Sequence, residues 1–462
     1  MIKTRAAISP TGYPHIGTIY QALFDYAFAK RHKGKFIVRI EDTDQARLVK
    51  DAEKKVFSAL DWFRLEEDES PRKGGPNGPY RQSERLDIYK KYAQELVEKG
   101  NAYYCFCSKE RLDEVRKKLQ AEGKIPMYDK HCRNSKDQKL KIKTGEPYVV
   151  RLKVPENKKI VVKDEIRGEI EFNSSEVDDQ ILLKSDGFPT YFLAVVVDDH
   201  LMEVTHMVRG EEWLPSSPKI ALLYDFFGWE KPYFIHTPII RNPDKSKFSK
   251  RQGHTNVSWY QEQGYLPEAI LNYLALMGWS HPEGKEIFSR EEFIRLFDFK
   301  DIHAVGPIFD LTKLEWMNGE YIRKAKISNL KFLIFNFYNK KYSEELIGKT
   351  VPLIQERIKK LSDYLPLCEF FFQKPEKYEV DISEKKVMLQ KVAETISALA
   401  DWKADVIGEK MQESAKNLGI KNSEFFMTLR VAITGKKISP PLNESMEILG
   451  KKECLKRIKN IM

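Results

Sequence analysis

Cysteine is scarce in this chain, five in 462 residues, and three of the five are bunched at Cys105, Cys107 and Cys132. That is too few for a secreted disulfide framework, and the bunching points to a metal site instead. No apolar run, residues 191–197 included, approaches the ~20 residues of a membrane-spanning helix, and the N-terminus has no signal-peptide core. The expectation is a cytoplasmic protein with no membrane contact. Low-complexity tracts and internal repeats are missing as well. What is present is a globular balance of 42% hydrophobic, 32% charged and 12% aromatic residues, which excludes collagen-like and largely disordered chains. At ~150 residues per domain the length allows two to four domains.

Charge is unevenly spread. The net charge is +10, yet residues 321–462 hold 27 Lys and Arg against 18 Asp and Glu, while the first 320 residues hold 51 against 50. A basic lobe following a near-neutral one suits contact with a polyanion such as nucleic acid, because phosphate neutralisation dominates such binding. The same excess also fits a plain solvated helical surface.

Hydrophobic spacing organises the chain. Residues 3–9 read as a strand, 16–31 as a helix with Gly34 as its C-terminal cap, and 36–40 as a second strand running into Glu41-Asp42-Thr43-Asp44. This βαβ opening implies a parallel sheet, whose ligands bind beyond the carboxyl ends of its strands. Helical periodicity recurs over 51–64 and 84–99. Residues 101–190 mix a charged helix at 109–120, the cysteines and a strand at 148–154, and read as an insertion. Strands at 191–197 and 234–240 would complete the sheet. From Pro267 on, nearly everything reads helical, as at 268–277, 328–338, 387–398 and 424–433.

Two segments carry chemistry. Pro14-His15-Ile16-Gly17-Thr18 opens the first helix, where free N–H groups favour phosphate and Gly17 lets a flat base approach the backbone. Alone, a histidine there is usually a capping or packing residue. Asn242 to Arg251 is a polar loop with four basic residues, and mobile lysines aimed at a polyphosphate stabilise charge developing on a leaving group. Alone, it is a solvated charge run.

Together, His15-Ile16-Gly17-Thr18 and Lys247-Phe248-Ser249-Lys250-Arg251 resemble the two signature motifs of class I aminoacyl-tRNA synthetases. Thr4-Arg5, Ser9-Pro10-Thr11-Gly12, Arg39-Ile40-Glu41-Asp42-Thr43-Asp44, Gly78-Pro79-Tyr80-Arg81-Gln82-Ser83-Glu84-Arg85, Val197-Asp198-Asp199-His200 and Arg209-Gly210-Glu211-Glu212-Trp213 narrow the resemblance to bacterial-type glutamyl-tRNA synthetases. It is dense over residues 3–325 and thinner beyond. There Leu429-Arg430-Val431-Ala432-Ile433-Thr434-Gly435 and Ser439-Pro440-Pro441-Leu442 resemble the end of the family's anticodon-binding region.

The resemblance implies a reaction and a site. ATP, with Mg2+, and L-glutamate give glutamyl-adenylate, and the acyl group passes to the terminal adenosine of tRNA(Glu), with tRNA(Gln) as a further partner left open. His15, Gly17, Lys247 and Lys250 would be catalytic. Ser9, His15, Gly17, Thr18, Trp213, Lys247, Ser249 and Lys250 would bind ATP, and Arg5, Ser9, Glu41, Tyr191 and Arg209 would bind glutamate, a cation meeting its carboxylate and an anion its ammonium. The implied fold is α/β plus all-α. A split Rossmann-like catalytic domain (1–100 and 191–243) carries an inserted acceptor-stem domain (101–190). A helical stem-contact domain with the lysine loop (244–320) and a helical anticodon-binding region (321–462) follow. A monomer is expected.

The chain departs from the family pattern in places. Ile8 stands where a proline is usual and Val195 where an asparagine is common, which removes one polar contact to substrate. The cysteines resemble a zinc site of pattern CysXCys then CysXHis, but the fourth position is Asn134, a poor zinc ligand. Either His131, Tyr128 or water completes a tetrahedron around Cys105, Cys107 and Cys132, or the thiols are free. Two other enzymes are alternatives: a truncated relative that modifies a tRNA base resembles only the first ~300 residues, and a glutaminyl enzyme should carry β-barrel anticodon domains. A non-catalytic tRNA-binding protein is the third alternative, against which His15, Lys247 and Lys250 speak.

Overall fold

A computed structural model describes residues 1–248 and 255–462, with the backbone alone at Lys139. The chain divides into two compact units, Met1–Val257 with Leu271–Asp310, and Ser258–Ile270 with Leu311–Met462.

The first unit opens with the expected βαβ element, β1 (Lys3–Ile8), α1 (Ile16–Arg31) and β2 (Lys35–Ile40). The strands pair in parallel, from Lys3 opposite Lys35 to Ile8 opposite Ile40, and α1 is buried on every face along residues 22–29. Gly34 does not cap the helix in a left-handed turn. Lys33 takes that conformation at φ 53°, and glycine follows because a Cβ on residue 34 would collide with the carbonyl of Ile2.

α2 (Ala52–Trp62) and α3 (Leu86–Glu98) come next, then β3 (Ala102–Cys105), α4 (Lys109–Ala121), α5 (Gln138–Lys143), β4 (Val149–Leu152), β5 (Lys159–Asp164), β6 (Gly168–Asn173) and β7 (Ile181–Leu183). One antiparallel sheet has the order β3-β4-β7. Another has the order β6-β5-β9-β8, its parallel half formed by β8 (His206–Gly210) and β9 (Tyr233–Thr237). Thr205 N–H donates to Lys3 O at 2.9 Å, which sets β8 beside β1.

The strand expected at 191–197 is a helix, α6 (Tyr191–Leu201). Leu193 to Asp199 are all buried, and a short, wholly apolar run has no periodicity by which to tell a buried helix from a buried strand. The strand expected at 234–240 stops at Thr237, before Pro238. α7 (Ser217–Phe227), α8 (Val257–Gln263), α9 (Pro267–Gly278) and α10 (Arg290–Leu296) follow.

In the second unit the sequence from Leu311 on forms α11 (Leu311–Lys324), α12 (Ile327–Phe337), α13 (Glu344–Ile354), α14 (Tyr364–Cys368), α15 (Lys386–Ala398), α16 (Ala404–Asn417), α17 (Asn422–Thr434), α18 (Leu442–Leu449) and α19 (Lys451–Lys459). Its described residues contain no strand. One core gathers around Leu330, Ile347, Val351 and Tyr364, a second around Val392, Ile407, Met411 and Leu429.

Candidate active site

Two cavities adjoin at the carboxyl end of β1 and the N-terminus of α1. The first, of about 570 Å³, is lined by Arg5, Ser9, Glu41, Tyr191 and Arg209, together with Asp25, Gln82 and Lys184. The second, of about 450 Å³, is lined by Tyr13, His15, Gly17, Glu212 and Lys247. Ser9, Thr18 and Trp213 face both. The residues expected around glutamate thus share one cavity, and those expected around ATP share the other. Ser249 and Lys250 lie outside the described residues. Val195 lines neither cavity and is fully buried in the core.

Buried charge fixes the first cavity. Arg5 Nε–H donates to Asp199 Oδ1 at 3.2 Å and its Nη1 to the carbonyl of Val208 at 2.8 Å. Arg39, among the buried apolar residues of β2, donates from Nη1 to the same Asp199 oxygen at 2.6 Å and from Nη2 to Glu41 Oε1 at 2.8 Å. Burial alone would raise the Asp199 carboxyl, but the two guanidinium groups hold it below its ordinary range. Arg5 and Glu41 are therefore braced at set positions on the wall of this cavity. Asp25 behaves differently: burial drives its carboxyl well above the ordinary range despite Arg5, and Oδ1 has no partner.

The second cavity is looser. Lys247 Nζ pairs with Glu212 Oε1 at 2.9 Å, both side chains partly exposed. Trp213 stacks on Tyr191, ring centres 4.5 Å apart and planes at 30°. A Cβ on Gly17 would press on the His15 ring at 3.0 Å, so glycine keeps the imidazole close to the helix start.

In the sequence Arg39 and Asp199 stand out only within motifs, with no site role given to them or to Asp164 and His236, all four of which are buried. A signal existed: Asp198-Asp199 ending an apolar run and Arg39 within an apolar strand are charges that need partners.

Away from the cavities, the Sγ atoms of Cys105, Cys107 and Cys132 all lie within 4.8 Å of one another. The Tyr128 hydroxyl sits among them, 3.3 Å from the Sγ of both Cys105 and Cys107, and accepts from the backbone N–H of Cys132 at 3.0 Å. Asn134 and His131 are exposed.

Residues 1–316 match the family model described as tRNA synthetases class I (E and Q), catalytic domain, and residues 314–462 match an anticodon binding domain. The glutamate–tRNA ligase of Acidothermus cellulolyticus is 45% identical, covering 99% of this chain and 95% of that protein. The chain belongs to the glutamate–tRNA ligase family. The glutamate–tRNA ligase of Stutzerimonas stutzeri is 44% identical, covering 100% of this chain and 95% of its own length. A crystal structure of the glutamate tRNA ligase from Elizabethkingia meningosepticum, in complex with its amino acid, superposes with a TM-score of 0.90 at 37% identity, covering 100% of this chain and 99% of that one. As a class I glutamate–tRNA ligase the chain combines the parallel-sheet catalytic fold of that class with an all-helical anticodon-binding region. No helix among the described residues is long and apolar enough to cross a membrane.

Proposed function

We propose that the chain activates L-glutamate with ATP, releasing pyrophosphate, and passes the glutamyl group from the adenylate to the 3′-terminal adenosine of tRNA(Glu). The observation that carries this is the pair of adjoining cavities. One is lined by Arg5, Arg209 and Glu41, the other by the α1 N-terminus and Lys247, and Ser9, Thr18 and Trp213 stand at their boundary. Arg5 and Arg209 take the glutamate side-chain carboxylate, Glu41 its ammonium, and Ser9 and Tyr191 complete that subsite. His15, Gly17, Thr18, Ser249 and Trp213 hold the nucleotide.

The chemistry needs no covalent nucleophile from the protein. The glutamate α-carboxylate attacks the α-phosphate in line, and positioning plus neutralisation of charge on the departing pyrophosphate lower the barrier. Lys247, and Lys250 from the same loop, supply that neutralisation once Lys247 leaves Glu212. Mg2+ bound with ATP would add further neutralisation.

Residues 101–190 meet the acceptor stem in this reading, 244–320 contact the stem below it, and 321–462 read the anticodon. The all-helical second unit favours this over a glutaminyl enzyme with β-barrel anticodon domains. The three thiols and the Tyr128 hydroxyl form a donor set that suits tetrahedral zinc. Tyr128, rather than Asn134, is the fourth ligand, and the site is structural. Metal analysis should find about one zinc per chain, retained in Asn134→Ala and lost in Cys132→Ser; metal-free wild-type protein that folds and charges normally would overturn this.

The deciding experiment is charging of tRNA(Glu) and tRNA(Gln) transcripts with labelled glutamate and ATP, beside Lys250→Ala. Charging of tRNA(Glu), lost in the variant, is expected. Charging of tRNA(Gln) too would extend the tRNA range and require an amidotransferase to correct the product. Binding of ATP and tRNA without charging of either would overturn the reading.

A further inference from the structure

Arg209 reaches the first cavity from the end of β8, and what holds its guanidinium is a buried relay across three strands. In the parallel pairing of β8 and β9, Arg209 stands opposite His236, so their side chains share one face. Arg209 Nε–H donates to His236 Nε2 at 3.1 Å, Nη2 to Ser217 Oγ at 3.2 Å, and Nη1 to the Tyr191 hydroxyl at 3.1 Å. On its other side, His236 Nδ1 lies 2.6 Å from Asp164 Oδ2, an oxygen that also accepts the His236 backbone N–H at 3.0 Å. Asp164 Oδ1 accepts the backbone N–H groups of Ile166 and Arg167, each at 3.0 Å. Asp164 ends β5, the neighbour of β9.

The donors and acceptors leave one protonation pattern. An arginine Nε–H can only donate and a carboxylate can only accept, so His236 must carry its proton on Nδ1 and offer the Nε2 lone pair. A doubly protonated ring would turn an N–H against Arg209, and burial keeps the imidazole below its ordinary range and hence neutral. Ser217, His236 and Asp164 resemble a hydrolytic triad in order, with Ser217 Oγ 3.1 Å from His236 Nε2, but none of them lines either cavity; Ser217 Oγ accepts Arg209 Nη2–H and its own O–H faces the same Nε2 lone pair. The relay ends on the arginine.

We propose that Asp164 and His236 are positioning residues for glutamate: Asp164 fixes the His236 tautomer, and His236 Nε2 then orients the Arg209 guanidinium toward the substrate carboxylate. This rests on the assignment of Arg209 to glutamate. It also gives β5, a strand from the segment between the two parallel pairs, a hand in amino-acid recognition.

Asp164→Asn tests it with almost no change in shape. The backbone N–H groups of Ile166 and Arg167 hold the amide oxygen, so the NH2 faces His236 and forces the proton to Nε2, against Arg209. In the charging assay the KM for glutamate should rise at least tenfold, with the KM for ATP within twofold of wild type. Histidine 15N NMR should report Nδ1–H for His236 in the wild type and Nε2–H in the variant. His236→Gln, whose amide oxygen accepts from Arg209, should keep more of the glutamate affinity than His236→Leu. An unchanged tautomer, or equal losses for glutamate and ATP that track a fall in melting temperature, would overturn the proposal. Arg209→Gln separates the two levels. If it leaves the glutamate KM untouched, the assignment of Arg209 fails; if it raises that KM while Asp164→Asn does not, only the relay fails.

Discussion

Asp25 lines the first cavity with a carboxyl that burial pushes well above its ordinary range and an oxygen that nothing satisfies. An acid whose pKa is higher folded than unfolded leaves stability intact below the unfolded value, ~3.9, and loses it as pH rises toward the folded one. Asp25→Asn removes the loss. Thermal unfolding should therefore show little difference from wild type near pH 4 and a stabilisation that grows by about 1.4 kcal/mol per pH unit until the folded carboxyl ionises; a constant difference from pH 4 to 8 would contradict the assignment. Lys247 poses the reverse case, a partly exposed cation in an ion pair with Glu212. Such pairs are worth about 0.2–1 kcal/mol, so Glu212→Gln, which frees the lysine for phosphate, should lower the KM for ATP by no more than about fivefold. Lys247→Ala should cut kcat about 10- to 100-fold, the size of a lost hydrogen bond to a charged group.

α6 shows how far elements can be read from sequence. Amphipathic segments were legible to within a residue or two, as for α3, α15 and α17, because one polar face keeps the 3.6-residue period visible. In α6 both faces are buried, the period vanishes, and β-branched Val195, Val196 and Val197 point the wrong way. β5 was missed for another reason: its exposed Lys159, Val161 and Lys163 alternate with buried Ile160, Val162 and Asp164, but the apolar Val161 on the outer face blurs that alternation in a segment that reads as an insertion. The end of α6 does work that the run conceals. Asp198 accepts from Gln82 at 2.9 Å, from Arg85 Nε–H at 2.7 Å and from the Tyr89 hydroxyl, all buried, so it pins α6 to the start of α3. Asp198→Ala would leave Arg85 without its carboxylate, and loss of one partner from a buried pair costs about 3–5 kcal/mol. Denaturant unfolding should show that loss, with Asp198→Asn in between; a loss under 1 kcal/mol would mean that water replaces the carboxylate.

On the scale of the whole molecule the charge asymmetry is the feature that composition made legible and side-chain geometry could not. The two cavities were readable through motifs because their chemistry demands particular residues at strand and helix ends. Contact with a polyanion demands only charge in the right region, so no single lysine announces itself. Lys341, Lys416, Lys421, Lys437 and Lys452 are all exposed and all fall in the stretch that holds the +9 excess. If that surface meets tRNA, each lysine at a phosphate releases counterions, and its replacement should lower the slope of log affinity against log salt by about 0.7–0.9. Changing the five together to serine should weaken tRNA binding at low salt, flatten its salt dependence and leave the KM for glutamate and ATP unchanged, since the cavities belong to the other unit. Filter binding at two salt concentrations, alongside charging at saturating tRNA, reads both effects. Equal affinity and slope for variant and wild type would assign the excess to solvation alone and move the search for phosphate contacts to the first unit.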